Sequence, residues 1–119
     1  PLISTADEKQ LLLDSANNAY LRNDFEAAAG YYEKIAGGEY ESAKVYYNLG
    51  NTYYKLNKVA LAILNYEKAL KIAPNDEDIK FNLGLANQRI VDKINPVPQI
   101  FITGWKEDFI NSYSEKEGP

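Results

Sequence analysis

Residues 45–55 read Val-Tyr-Tyr-Asn-Leu-Gly-Asn-Thr-Tyr-Tyr-Lys, and the centre of this segment occurs twice in the chain. Asn48-Leu49-Gly50 recurs as Asn82-Leu83-Gly84, with each residue 34 positions after its first copy. A fixed period of this length is the signature of a helical array in which every repeat is one supersecondary unit. The segment therefore predicts stacked, structurally equivalent units along the chain.

The same period extends through the flanking residues. One complete unit spans residues 43–76. A weaker copy spans residues 9–42, in which Tyr32 takes the place of Tyr66. A third copy begins at residues 77–93 and then stops, because prolines follow where its second helix should lie. The sequence thus predicts a repeat domain over residues 1–93.

The complete unit resembles a tetratricopeptide repeat. That family places an aromatic residue, Leu-Gly and Tyr on its first helix, then a small, an aromatic and a small residue on its second helix, and Pro at the end. Here those places hold, in order, Tyr46, Leu49-Gly50, Tyr53, Ala62, Tyr66, Ala69 and Pro74. The resemblance implies an all-α fold of antiparallel helical hairpins stacked as a right-handed superhelix, with a C-terminal capping or amphipathic helix.

Small residues at two of those places give the pattern a physical reason. Gly50 and Ala62 remove side-chain bulk where the two helices of a hairpin cross. The residues that then fill the space toward the next unit are Tyr46, Tyr53 and Tyr66. One hairpin cannot bury its apolar face alone, so stacking supplies the core. Any amphipathic hairpin spaces apolar residues three and four apart, but it has no reason to keep a 34-residue period.

Turn and capping residues predict five helices in antiparallel pairs. Asn23-Asp24 and Asn57-Lys58 are the short turns within hairpins, and Asp24 is a suitable N-cap. Pro74 ends the fourth helix, and either Asn75 or Asp76 caps the fifth. The acidic run from Asp76 is better explained by helix-start chemistry than by a cation site. The expected helices lie near residues 5–22, 24–36, 41–56, 59–72 and 76–93.

The C-terminal part changes character. Residues 94–104 form a predicted connector, because Pro96 and Pro98 interrupt a helix and favour an extended path. Residues 105–119 form a predicted amphipathic helix of two to three turns with a tail, which either caps the last unit or lies at a membrane surface. The cap is favoured. The expected apolar face holds Trp105, Phe109, Ile110 and Tyr113, opposite Lys106, Glu107 and Asp108.

The tail also resembles a family as a whole. The run Asp92-Lys93-Ile94-Asn95-Pro96-Val97-Pro98, followed by Ile100-Phe101-Ile102 and Trp105, is similar to the region after the repeats in BatE-type proteins of the Bacteroides aerotolerance operon. The resemblance implies a Bacteroidetes-type periplasmic or membrane-anchored protein with a role in aerotolerance or stress survival. Without this resemblance, the expected location is the cytoplasm. Implied partners include von Willebrand factor A-domain proteins of that operon, and no functional residue is transferred.

Composition excludes several classes of function. The formal net charge is −4 and the basic residues are scattered, which argues against nucleic acid and anionic lipid as partners. The chain has no His and no Cys, so the usual catalytic base, thiol nucleophile and commonest metal ligands are missing. We therefore expect no enzyme, cofactor or metal site. No apolar run approaches the ~20 residues of a spanning helix, so membrane contact is expected only through segments outside this chain.

In this architecture the first helices of successive units line a concave groove. Asn side chains suit a peptide backbone, Tyr and Phe offer apolar area, and Lys55 and Arg89 suit carboxylates. We expect a protein-interaction scaffold that captures an extended or helical peptide. The candidate partner-binding residues are Asn17, Tyr20, Lys44, Tyr47, Asn48, Asn51, Tyr54, Lys55, Phe81, Asn82, Leu85 and Arg89.

Two alternatives stay open for these residues. In the first, Asn48 and Asn82 cap or bridge neighbouring helices, and Tyr47 and Tyr54 only pack between units. In the other, the chain self-assembles as a homo-oligomer whose C-terminal segment, around 100–102, occupies the groove of another copy.

Capture of chaperone C-termini is not expected. Tetratricopeptide repeats of that kind clamp a terminal carboxylate with two Asn and three basic residues. Asn17 and Asn48 match the two amides. The basic places instead hold Leu13, Asp78 and Asn82, so the positive charge that such a clamp needs is missing.

Overall fold

The chain folds as consecutive α-helices. The computed structural model describes residues 4–38, 42–94 and 99–117, and these residues contain no strand. The predicted all-α hairpin architecture is confirmed. The helices are α1 (Thr5–Leu21), α2 (Phe25–Ala36), α3 (Ala43–Lys55), α4 (Val59–Ile72), α5 (Glu77–Ile94) and α6 (Gln99–Glu117).

Polar side chains begin most of the helices. The Asp24 carboxylate accepts a hydrogen bond from the backbone N–H of Ala27 at 3.3 Å. Asp76 accepts from the N–H groups of Asp78 and Ile79 at 3.0 and 3.1 Å. Both predicted caps are confirmed, and a carboxylate at this position also favours the helix dipole. The hydroxyls that cap α1 and α3 are those of Ser4 and Ser42.

The turns inside the two complete hairpins have the same geometry. Asn23 and Asn57, one repeat length apart, both have a φ of 63°. Asn is one of the few residues with a side chain that tolerate this left-handed conformation. After each of them the chain reverses, and the Lys58 N–H donates to the Tyr53 carbonyl at 2.9 Å. The predicted turns are therefore produced by the repeated Asn.

The core follows from stacking these hairpins in chain order. α3 contributes to two clusters of buried apolar residues: Val45 and Leu49 face α1 and α2, whereas Tyr46 packs with α4 and α5. A Cβ at Gly50 would lie 2.6 Å from the Tyr66 ring, so glycine is required at this crossing. The molecule is elongated, 55 × 35 × 24 Å, as expected when units add along one direction.

The predicted connector over residues 94–104 is wrong in its second half. α6 begins at Gln99 and runs for 19 residues, so residues 99–104 are helical and the helix is longer than two to three turns. The physical reason is that a proline obstructs the turn before it and leaves the following residues free to be helical. Residues 95–98, which include Pro96 and Pro98, lie outside the described residues.

The predicted face of α6 is also wrong in part. Ile110 packs against the α4–α5 cluster as expected. Lys106, assigned to the opposite face, donates to Asn87 Oδ1 on α5 at 3.1 Å. Trp105 is 44% exposed and stacks on Phe109. Asn87 stands where the repeat has an aromatic residue, so α5 offers a polar partner there. The Tyr113 side chain lies outside the described residues.

α6 therefore rests against α5. Across residues 4–38, 42–94 and 99–117, no helix combines the length and apolar character needed to cross a bilayer.

Candidate functional site

The first helices of the units, α1, α3 and α5, line one continuous groove. It contains two open cavities of about 330 and 260 Å³, and both are lined by Tyr20 and Asn51. The first lies between α1 and α3, and its other lining residues are Asn17, Leu21, Tyr32 and Asn48. The second lies between α3 and α5, and its other lining residues are Tyr54, Lys55, Tyr66, Asn82 and Leu85.

A repeated hydrogen bond forms the floor of this groove. The Tyr32 hydroxyl donates to Asn17 Oδ1 at 2.5 Å, and the Tyr66 hydroxyl donates to Asn51 Oδ1, also at 2.5 Å. Both pairs join the second helix of a hairpin to its first helix, one repeat length apart. Tyr32 and Tyr66 were not predicted as site residues. The shared period of the two Asn–Tyr pairs is the sequence signal that could have found them.

Asn82 connects neighbouring units. Its Nδ2 donates to the Tyr47 hydroxyl at 2.9 Å and to Asn51 Oδ1 at 3.0 Å. In the preceding unit Asn48 and Tyr32 line the α1–α3 cavity together. The Tyr47 ring packs on Tyr66 with centroids 6.0 Å apart. These contacts show that Asn82 and Tyr47 hold helices together as well as lining or adjoining the groove.

The floor hydroxyls stay protonated well into alkaline solution. Burial raises the pKa of Tyr66 above its ordinary value, and the nearby Tyr47 hydroxyl adds to this effect. Burial likewise raises the pKa of Tyr32 and of Tyr20. A hydrogen bond from Asn82 acts in the opposite direction on Tyr66 but is the smaller influence. At neutral pH the Tyr32 and Tyr66 hydroxyls are therefore hydrogen-bond donors that fix the side-chain amides of Asn17 and Asn51.

Basic side chains lie at one rim of the groove. The Arg89 guanidinium lies over the Tyr54 ring, 4.8 Å from its centroid, and donates to Asn57 Oδ1 at 2.7 Å. Lys93 Nζ reaches the same oxygen at 3.2 Å. Lys55 lines the α3–α5 cavity and is exposed, with no ion pair among the described residues. Neither cavity is lined by an acidic residue.

The structure brings most of the predicted site residues together. Tyr47 and Arg89 adjoin the cavities through Asn82 and Tyr54. Lys44 is exposed and lines neither cavity, and Phe81 is 67% exposed on α5 outside both. Among the described residues, no group of acidic side chains is arranged to hold a metal ion. The predicted residues that do line the cavities are Asn17, Tyr20, Asn48, Asn51, Tyr54, Lys55, Asn82 and Leu85.

Comparison with known proteins agrees with this architecture. Residues 43–76, the complete hairpin unit, match the tetratricopeptide repeat family. The chain contains a tetratricopeptide repeat. The resemblance stated from Leu49-Gly50 and its neighbouring positions is confirmed for this unit.

Three longer proteins are similar to part of this chain. Two proteins named tetratricopeptide repeat protein 16, from Macaca fascicularis and Homo sapiens, are each 27% identical over 86 residues, which is 70% of this chain. A Drosophila melanogaster protein named BBSome complex member BBS4 homolog is 33% identical over 64 residues, or 54% of the chain. The aligned part covers 10% of the first two relatives and 13% of the third.

Proposed function

We propose that the tetratricopeptide groove captures an extended segment of a partner protein. The observation that carries the proposal is the continuity of the two cavities across α1, α3 and α5 through Tyr20 and Asn51. An open channel that crosses three helices fits a polypeptide segment better than a compact small molecule, which usually binds in an enclosed apolar pocket.

Preorganised hydrogen-bond donors support this function. Asn17 and Asn51 each accept a tyrosine hydroxyl through Oδ1. Their amide N–H groups have no partner within the described residues and are left to bind carbonyl oxygens of a bound chain. Because the amides are already fixed, little side-chain entropy is lost on binding, which raises affinity. The partially exposed rings of Tyr20 and Tyr54 add apolar contact area.

The test is selection of peptides from a displayed random library, followed by affinity measurement with variants. Lys55→Ala is the informative change, because Lys55 lines the groove and makes no internal ion pair among the described residues. Selected peptides that carry a carboxylate should bind this variant about tenfold more weakly, the loss of one charge-assisted contact. Lys58→Ala is the matched control, since Lys58 is exposed and lines neither cavity.

Thermal melting should show that both variants are folded. If no peptide is enriched, or if enriched peptides bind both lysine variants and the parent chain equally, the groove assignment is wrong. A catalytic role is not proposed, because the chain has no His or Cys to act as base or nucleophile.

We further propose that the partner belongs to a bacterial envelope complex for aerotolerance or stress survival. This finer proposal is supported by the similarity of residues 92–105 to the tail of BatE-type proteins. Affinity capture from a Bacteroidetes envelope fraction should recover a von Willebrand factor A-domain protein with the parent chain and less of it with Lys55→Ala. Recovery from the cytoplasmic fraction alone would contradict the periplasmic location.

A further inference from the structure

One exposed side of α5, which borders the α3–α5 cavity at Leu85, is apolar. Phe81 is 67% exposed and Leu85, four residues later, is 46% exposed. Gly84 lies three residues after Phe81 and so shares its side of the helix. A Cβ at Gly84 would meet no atom of the described residues within 4 Å. The face therefore carries a protruding aromatic ring next to an open notch.

The chain itself shows what such a notch accommodates. Gly50 is the same position one repeat earlier, and the Tyr66 ring lies directly over it, 2.6 Å from where a Cβ would be. At Gly84 no described residue provides such a ring, because nothing lies within 4 Å of the place a Cβ would take. The notch at Gly84 thus has the shape that takes an aromatic side chain from a neighbouring helix.

We propose that this face pairs with the same face of a second copy of the chain. In an antiparallel pair related by a two-fold axis between residues 82 and 83, Phe81 of each copy enters the Gly84 notch of the other. A two-fold contact requires a self-complementary patch, and a ring and a notch three residues apart on one helix provide it.

Charge along α5 agrees with the antiparallel register. Acidic residues lie in the first turn of α5 and Lys93 lies in its last. The pairing sets Glu77 beside Gln88 and Asp76 near Arg89 of the other copy, so carboxylates do not face each other. The two helix dipoles also oppose, which is favourable. The pairing borders the α3–α5 cavity at Leu85 and leaves the α1–α3 cavity open. It does not depend on peptide capture.

The first experiment measures mass by analytical ultracentrifugation from low micromolar to millimolar concentration. The parent chain should shift from 13.4 kDa toward twice that mass. Gly84→Leu fills the notch. Since a Cβ at this place meets no described atom within 4 Å, we expect the variant to stay folded and monomeric throughout. Gly30→Leu is the matched control, because Gly30 is also an exposed helical glycine with nothing described within 4 Å, and it should dimerise like the parent.

The second experiment tests the register by cross-linking. The chain has no Cys, so introduced thiols are unique. A mixture of Glu77→Cys and Gln88→Cys chains should form a disulfide-linked heterodimer, whereas either variant alone should not cross-link efficiently. The proposal is overturned if the parent stays at 13.4 kDa at millimolar concentration, if Gly84→Leu dimerises as the parent does, or if each single-Cys variant cross-links to itself instead.

Discussion

At the scale of single residues, the Asn–Tyr pairs link stability to the groove. Asn51 accepts hydrogen bonds from both the Tyr66 hydroxyl and Asn82, so one amide joins α3, α4 and α5. The same pair, Asn17 with Tyr32, repeats in the first unit. A residue that shapes the groove floor therefore also fixes the packing of the hairpin beneath it. Changes at these positions should alter binding and folding together.

We expect Tyr66→Phe to lower the free energy of unfolding by about 1 kcal/mol, because the ring is kept and one hydrogen bond is lost. The variant should also be less sensitive to alkali. The folded-state pKa of Tyr66 is raised, so its contribution is fully present below the unfolded pKa of about 10 and is lost as pH rises toward the folded value. Urea unfolding between pH 7 and pH 11 measures both effects, and an equal alkaline loss in parent and variant would contradict the assignment.

At the scale of elements, the hairpin depends on close approach of α3 and α4. Gly50 and the buried Tyr66 ring occupy the crossing, and Ala62 of α4 is fully buried. The repeated Asn turns bring the helices into this position. Turn geometry and the small residue at the crossing are thus both needed for one hairpin to form, and the next hairpin stacks only on a correctly formed one.

Two glycine substitutions should therefore change the free energy of unfolding in opposite directions. Gly50→Ala should destabilise by about 1–3 kcal/mol, because the new Cβ overlaps the Tyr66 ring and that buried ring has little room to move. Gly30→Ala, in open space on α2, should stabilise by about 0.5–1 kcal/mol through helix propensity. Thermal unfolding followed by circular dichroism compares them directly, and loss of stability in both would show that crowding at Gly50 is not the cause.

At the scale of the whole molecule, stability is shared between neighbouring elements. Each helix packs mainly against the next one along the chain, as in other arrays whose stability is a sum of nearest-neighbour terms. α6 adds the last of these terms through Ile110 and the Lys106–Asn87 hydrogen bond. Removal of α6 should therefore lower local stability most at α5 and least at α1.

Ile110→Ala tests that gradient. We expect a loss of about 1 kcal/mol, less than for a fully buried isoleucine because Ile110 is only partly buried. Native-state hydrogen exchange should become faster for α5 amides and stay unchanged for α1 and α2 amides. Leu21→Ala, at a 79% exposed position far along the chain, is the control and should change neither. Uniformly faster exchange in Ile110→Ala would indicate a single cooperative unit.

The sequence by itself determined the hairpins and their order, because the period, the Leu49-Gly50 pair and the Asn turns act through local geometry that repeats. It also determined most residues of the groove, since their positions follow from the same period. Only the tertiary structure decided that Tyr32 and Tyr66 reach the groove floor and that Asn82 is bonded to Tyr47 and Asn51. It also decided that Lys106 of α6 bonds Asn87 of α5 while Ile110 packs against the α4–α5 cluster. Those outcomes depend on distances between helices, which packing sets and residue spacing along one helix does not.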